Sequence, residues 1–221
     1  MTTEPSTHGA TGVRVAATLR DAILAGDYTP GEKIRQDELA EQHGASRLPV
    51  RDALRILEAE GLVTLVANAG AWVSRISLVE CEEMYRMRER LEPLLLGLNI
   101  PLLTDGQIAR LGRLADAMEA TDDVERFLEL DRDFHLSCLE AAHTTVLGDT
   151  VRGLWNRTQH YRRAATRLFY SDGDRSIHYD HQLLVGAIRR RDVEEAERVL
   201  AGHIRRSRLG LASQPEAFEH G

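Results

Sequence analysis

The chain of 221 residues is 43% hydrophobic and 29% charged, an ordinary balance for a folded protein with room for one large domain or two small ones. It has no apolar run of the ~18 residues that a membrane-spanning helix needs. Cys81 and Cys138 are too few for a disulfide framework and match no zinc-motif spacing, so a reducing cytoplasm is the expected setting. The net charge of −7 speaks against nucleic acid as a partner, but the acidity is uneven: residues 1–78 hold 8 Lys and Arg against 10 Asp and Glu, the remainder 20 against 25. Phosphate contact needs only a local basic surface, which a summed charge conceals.

The opening MTTEPSTHGA lacks the basic-then-apolar order of a secretory signal, and residues 1–11 read as a disordered polar tail. Val15, Leu19 and Ile23 recur at four-residue spacing and predict a helix ending near Gly26. Pro30-Gly31 marks a turn, a short helix follows over 36–43, and Gly44 breaks it at a point suited to positive φ. Ser46 is placed to cap a third helix over 47–60, which Gly61 ends. LVTLV and AWVSRI then flank ANAG as a hairpin. Helix, helix, turn, helix, hairpin is the order of a winged helix-turn-helix, assigned to residues 12–77.

From 78 onward helical patterns follow one another over 78–98, 105–120, 122–142, 145–169, 176–190 and 192–212. Ser77 with Glu80 and Thr104 with Gln107 have capping-box spacing, and Asp192 with Glu195 resembles it. The fold class is therefore mainly α: a winged helix-turn-helix followed by an all-α bundle over 78–212, with a flexible tail at 213–221.

In the helix at 47–60, stepping about 100° per residue places Val50, Leu54 and Leu57 on a core flank and Arg47, Arg51 and Arg55 on the neighbouring one. A solvated charged face is the plain reading of such a stripe. This one begins at the helix end that enters the major groove in helix-turn-helix proteins, where a guanidinium pairs with phosphate or with a guanine edge. The stretch LRDAILAGDYTPGEKIRQDELAEQHGASRLPVRDALRILEAEGLV resembles the N-terminal domain of the GntR family of bacterial transcription regulators, whose pattern includes E-L-A, then G-V-S-R-x-P-V-R-x-A-L. Ala45 stands here for the usual Val, and Leu48 for a frequent Thr. The resemblance implies double-stranded operator DNA as partner, with Ser46, Arg47 and Arg51 in contact, Arg35 and Asp37 near its backbone and Gly70 in the wing.

In the bundle, Phe127, Phe134 and Cys138 lie within about 20° of one direction, with Asp131 about 40° from their centre. His135 follows one turn after Asp131. His181 interrupts the apolar face of Ile177, Leu184 and Ile188, and His203 that of Ala196, Val199, Leu200 and Ser207, while His178 falls to the side. A buried carboxylate and three imidazoles need partners. Separately hydrogen-bonded core groups would satisfy them, and so would one divalent metal ion. DRDFH and HQLLVGAIRRRDVEEAERVLAGH resemble the FCD domain of the FadR-type subfamily, which implies Asp131, His135, His181 and His203 as metal ligands. AAHTTVL departs from that pattern, with His143 and Thr144 where Gly-Asn is usual. The donor types suit zinc or nickel, with manganese or iron possible.

Arg88 lies inside the stripe of Met84, Leu91, Leu95 and Leu98, either snorkelling, ion-paired or facing an effector. RERLE resembles the family's R-x-x-L-E, which implies an effector-facing arginine, suited to a small organic acid, with Tyr85 and Tyr161 as lining. The expected protein is a cytoplasmic, ligand-responsive repressor that binds a palindromic operator as a homodimer and is not an enzyme. A regulator that senses the ion itself, a purely structural ion and a metalloenzyme remain as alternatives on these residues.

Overall fold

The computed structural model describes residues 7–172 and 176–218, and the chain divides into two compact units between Ile76 and Ser77. The first runs α1 (Thr7–Ala25), β1 (Lys33–Ile34), α2 (Gln36–Gln42), α3 (Arg47–Ala59), β2 (Val63–Val66) and β3 (Gly70–Val73). Its core joins Val15, Leu19 and Ile23 of α1 to Leu39 of α2, Val50, Leu54 and Leu57 of α3, and Val63 and Val73 of the hairpin. Gly44 takes φ 56° between α2 and α3, a conformation that would strain a side chain.

Two local details differ from expectation. β1 is a third strand: the sheet order is β1-β3-β2, with Lys33 opposite Trp72 and Ile34 opposite Ala71. Two residues carry no alternation, so only the open edge of β3 calls the strand into being, through Val73 N–H to Glu32 O at 2.9 Å and Gly31 N–H to Val73 O at 3.0 Å. Ser46 holds the N-cap position of α3, yet its side chain makes no capping hydrogen bond. The third helical residue is Pro49, which has no N–H to offer it.

The second unit runs α4 (Leu78–Asn99), α5 (Asp105–Glu119), α6 (Val124–Cys138), α7 (Leu147–Asp172), α8 (Ser176–Arg189) and α9 (Val193–Ala212). Ser77 and Glu80 close a capping box at α4, with Glu80 N–H to Ser77 Oγ at 3.2 Å and Ser77 N–H to Glu80 Oε2 at 2.7 Å. Thr104 and Gln107 do the same for α5, and Asp192 accepts from Glu195 N–H at α9. α4 packs on α9 and α7, α5 on α6 and α8, and α8 on α9, so the faces of α6, α7, α8 and α9 converge.

The helix expected to reach residue 142 stops at Cys138, because Ala142 N–H is taken by the buried Asn99 Oδ1 at 2.7 Å, pinning the loop from α4. Of the expected inner stripe of α4, Met84, Arg88 and Leu95 are buried, Leu91 is half-buried and Leu98 is half exposed; the buried side also takes in Cys81, Tyr85, Glu92, Leu96 and Asn99. The polar groups Arg88 and Glu92 pair with each other and so travel inward together. The two tails differ as well: α1 already begins at Thr7, and the short helix Pro215–Phe218 buries Phe218, whose ring stacks on Tyr161 at 4.5 Å. Residues 1–6 and 219–221 of those tails lie outside the described residues.

The two caps make a paired test. Ser77→Ala removes a working cap and should cost about 1 kcal/mol of unfolding free energy. Ser46→Ala should change it by less than about 0.5 kcal/mol. Equal losses in chemical denaturation would show that Ser46 does cap α3.

Candidate metal centre and nucleic-acid face

Asp131, His135, His181 and His203 come together from α6, α8 and α9, and one ligand atom from each lies within 4.8 Å of the others. Their exposures of 0, 2, 1 and 4% place all four out of reach of solvent, so protein or a bound ion must satisfy them. His135 Nε2 and His181 Nε2 approach Asp131 Oδ1 to 3.6 and 3.3 Å and each other to 3.3 Å. The His203 ring stacks on His135 at 5.0 Å. Among the described residues Asp131 Oδ1 accepts no well-formed hydrogen bond, and the ring nitrogens crowd the same point. Lone pairs converging on one buried place are what a cation satisfies and a hydrogen-bond network does not. The residues therefore fit a divalent ion.

The other oxygen of Asp131 is held by Arg162 of α7, itself buried. The Arg162 guanidinium lies 4.5 Å over the Trp155 ring, and that of Arg88 lies 4.1 Å over the same ring and 4.6 Å over Tyr85. Arg88 Nε donates to Glu92 Oε1 at 2.5 Å and its Nη1 to Thr158 Oγ1 at 3.2 Å. Trp155 in turn lies 5.2 Å from His135. Among the described residues, the buried atoms Tyr85 Oη, Trp155 Nε1, Glu92 Oε2, Gln159 Oε1 and Arg162 Nη1 have no hydrogen-bond partner. Tyr161, read as lining the same pocket, has its ring against Phe218. His178, read as falling aside, is buried edge-on against Phe127 at 5.8 Å and is not among the four convergent groups.

Sequence reasoning did not single out Arg162 and Trp155, and it met Glu92 only as the last residue of RERLE. For Arg162 the signal existed: by the ~100° step it falls within about 20° of Val151, on the line of Trp155 and Thr158. Arg163 beside it pairs instead with Glu125 at 2.6 Å on the outer side.

Burial pushes the Asp131 carboxyl upward, but Arg162, then His135 and His181, outweigh it and hold the group well below the usual carboxylate range. His135 is driven well below the ordinary imidazole range, by burial first and by His203, His181 and Arg162 in addition, with Asp131 opposing. His203 is lowered by burial against the pull of Asp180. Neutral imidazoles beside an ionised carboxylate are the protonation states that bind a metal.

In the first unit, Lys33, Arg35, Asp37, Arg47 and Gly70 line a cleft of about 570 Å³. Arg47 is not free within it: its guanidinium is held by Asp37 through bonds of 2.8 and 3.1 Å, both side chains being exposed. Arg35 pairs with Glu38 at 3.1 Å. Arg51 lies on a second cleft beside Gln36, Asn68 and Gly70, whereas Arg55, which borders it too, pairs with Asp52 at 3.6 Å. Lys33 joins this basic surface only because β1 pairs with the hairpin.

With this geometry in place, the comparisons with known proteins agree in both halves. The description of bacterial regulatory proteins of the gntR family matches residues 11–73, and that of the FCD domain matches residues 83–206, more than half of the chain. The protein belongs to the GntR family of transcription regulators, in the branch with a C-terminal FCD domain. The HTH-type regulator YdhC of Bacillus subtilis (strain 168) is 26% identical over 192 residues, 84% of each chain. The gluconate operon transcriptional repressor of Bacillus licheniformis is 27% identical over 194 residues, 82% of this chain and 77% of that one. In fold, McbR/YncC of E. coli matches with a TM-score of 0.78 over 92% of this chain and 98% of the other, at 23% identity. The protein is thus a regulator and not an enzyme, which removes the metalloenzyme alternative. None of the described helices is long and apolar enough to cross a membrane.

Below the ordinary imidazole value near 6.5, an unfolded histidine binds more protons than these buried ones. Their contribution to stability is therefore complete above about pH 6.5 and is lost as the pH falls toward their lowered folded values. The full chain held in chelator should melt at progressively lower temperature between about pH 7 and about pH 5, each histidine adding at most ~1.4 kcal/mol per pH unit. A flat or rising melting temperature over that range would mean that the rings are charged in the fold.

Proposed function

We propose that the protein is a cytoplasmic, ligand-responsive repressor that binds a palindromic operator as a homodimer and senses a small organic acid at a metal centre. The observation that carries this reading is the convergence of Asp131, His135, His181 and His203 on one buried point, beside two arginines stacked on Trp155. Three imidazoles and a carboxylate suit zinc or nickel, with manganese or iron compatible. When bound, the ion supplies Lewis-acidic positions open to a ligand oxygen. The surrounding charges favour an anionic ligand: Arg88 is balanced by Glu92 and Arg162 by Asp131, so a divalent ion leaves the centre net positive. Arg88 and the unpartnered Tyr85 Oη would orient the acid, with Tyr161 as an aromatic wall. A relative named for a gluconate operon is consistent with a hydroxy or sugar acid.

We assign operator contact to residues 12–77. Arg51 reads base edges, Asp37 holds Arg47 for the groove, the uncapped Ser46 hydroxyl and Arg35 meet phosphate, and Gly70 lets the wing approach the backbone closely. Residues 78–212 would sense the ligand. Met87, Leu94 and Leu98 of α4 lie within about 20° of one direction and are 46, 52 and 50% exposed, an apolar stripe that supports pairing with a second copy. A dimer presents two reading heads to two half-sites. The acid changes operator affinity only as far as it binds one arrangement of the heads better than another.

Arg51→Ala should weaken operator binding by about 1–3 kcal/mol in fluorescence anisotropy, and unchanged affinity would remove the assigned reading face. His203→Ala should lose stoichiometric metal in elemental analysis; full retention would break the four-ligand set. An organic acid that fits should raise the melting temperature of the metal-loaded protein and lose that effect in chelator. A response of operator binding to the ion with no acid present would favour the ion as the signal.

A further inference from the structure

Asp180 precedes His181 in α8, yet its carboxylate engages α9. Its Oδ2 lies 3.3 Å from His203 Nδ1 and 2.8 Å from Arg206 Nε, and its Oδ1 is paired with Arg206 Nη2. Arg206 thus grips the carboxylate through both oxygens, while His203 meets one of them from the inner side. Asp180 and His203 are both buried, and Arg206 is half exposed at the rim.

An ionised carboxylate only accepts hydrogen bonds, so the hydrogen between Asp180 and His203 sits on Nδ1. That leaves the lone pair of His203 on Nε2. His135 and His181 likewise turn Nε2 toward Asp131 Oδ1. A histidine ligand whose other nitrogen donates to a carboxylate has its tautomer and ring direction decided before the metal arrives. Among the described residues, His181 Nδ1 has no partner, whereas His203 Nδ1 meets the Asp180 carboxylate, so a built second contact sets the direction of the α9 ring.

We propose that Asp180 is a positioning residue of the metal centre: through Nδ1–H of His203 it selects Nε2 as the ligating nitrogen and holds the ring on the cluster, with Arg206 keeping the carboxylate in place. The proposal rests on the metal-centre reading above and goes beyond it in naming a residue outside the four ligands. Asp180→Ala loses both the tautomer preference and the anchor, while Asp180→Asn keeps an oxygen that accepts from Nδ1–H.

The test uses the full chain and cobalt(II), whose visible spectrum reports coordination, together with zinc for NMR. Asp180→Ala should weaken cobalt(II) binding about 10–100-fold in competition with a chelator and alter the visible bands, with Asp180→Asn recovering most of the loss. In a His203→Ala background, titrated with cobalt(II) in excess to read the residual affinity of the three remaining ligands, Asp180→Ala should add nothing, because the effect passes through His203. An undiminished affinity in Asp180→Ala, or the same loss with and without His203, overturns the proposal. The zinc-loaded wild-type protein provides a reading that needs no variant: long-range proton–nitrogen NMR should show His203 protonated at Nδ1, and a metal-bound Nδ1 overturns the assignment. Failure of wild-type protein to bind either ion would instead refute the metal centre itself.

Discussion

Asp131 has no exposed surface, and an ionised carboxylate in that position needs positive charge or hydrogen-bond donors around it. Arg162 satisfies one oxygen, and three imidazoles face the other. Arg162 is in turn a buried cation, resting on Trp155 and tied to Asp131, and Arg88 repeats the arrangement on the same ring with Glu92. Ion pairs in a low-dielectric interior gain from each other only when their geometry is good, and removing one member strands the rest. The interior faces of α4, α6, α7, α8 and α9 are therefore constrained together: each carries at least one polar group whose partner sits on a different turn or helix.

This constraint explains why the buried side of α4 takes in Glu92 and leaves Leu98 out. Leu94 and Leu98 could have filled a core, but Arg88 and Glu92 can be buried only as a pair, at i, i+4, facing Trp155 and Thr158. Turning them inward turns Met87, Leu94 and Leu98 outward. The polar centre and the apolar outer stripe of α4 are two consequences of one choice of helix rotation.

The first unit uses charge in the opposite way. Arg35, Arg47 and Arg55 are exposed, and their pairs with Glu38, Asp37 and Asp52 are worth little to stability in water. Such pairs orient a guanidinium without burying it, so that phosphate or a base edge can compete for it. The overall negative charge does not oppose this, because Arg35 at the start of α2, the arginines of α3 and Lys33 at the sheet edge line adjoining clefts.

Most helix positions, the caps of α4, α5 and α9 and the identity of the four convergent groups in the bundle were legible in the residues themselves, whereas the Ser46 cap and the end of α6 were not. Capping boxes are local, four-residue spacing marks a face, and Asp131 with His135 at i, i+4 announces a shared direction. The tertiary structure alone decided that Glu92, and not Leu98, joins Met84, Arg88 and Leu95 on the buried side of α4, because a helix with leucines on several sides has no single apolar stripe. It alone brought Arg162 to Asp131, β1 with Lys33 to the edge of β3, and Asp180 to His203. Periodicity reports which residues of one helix share a direction. Which residue of another helix they meet is settled by packing, and an ion pair or a strand edge forms only after that meeting.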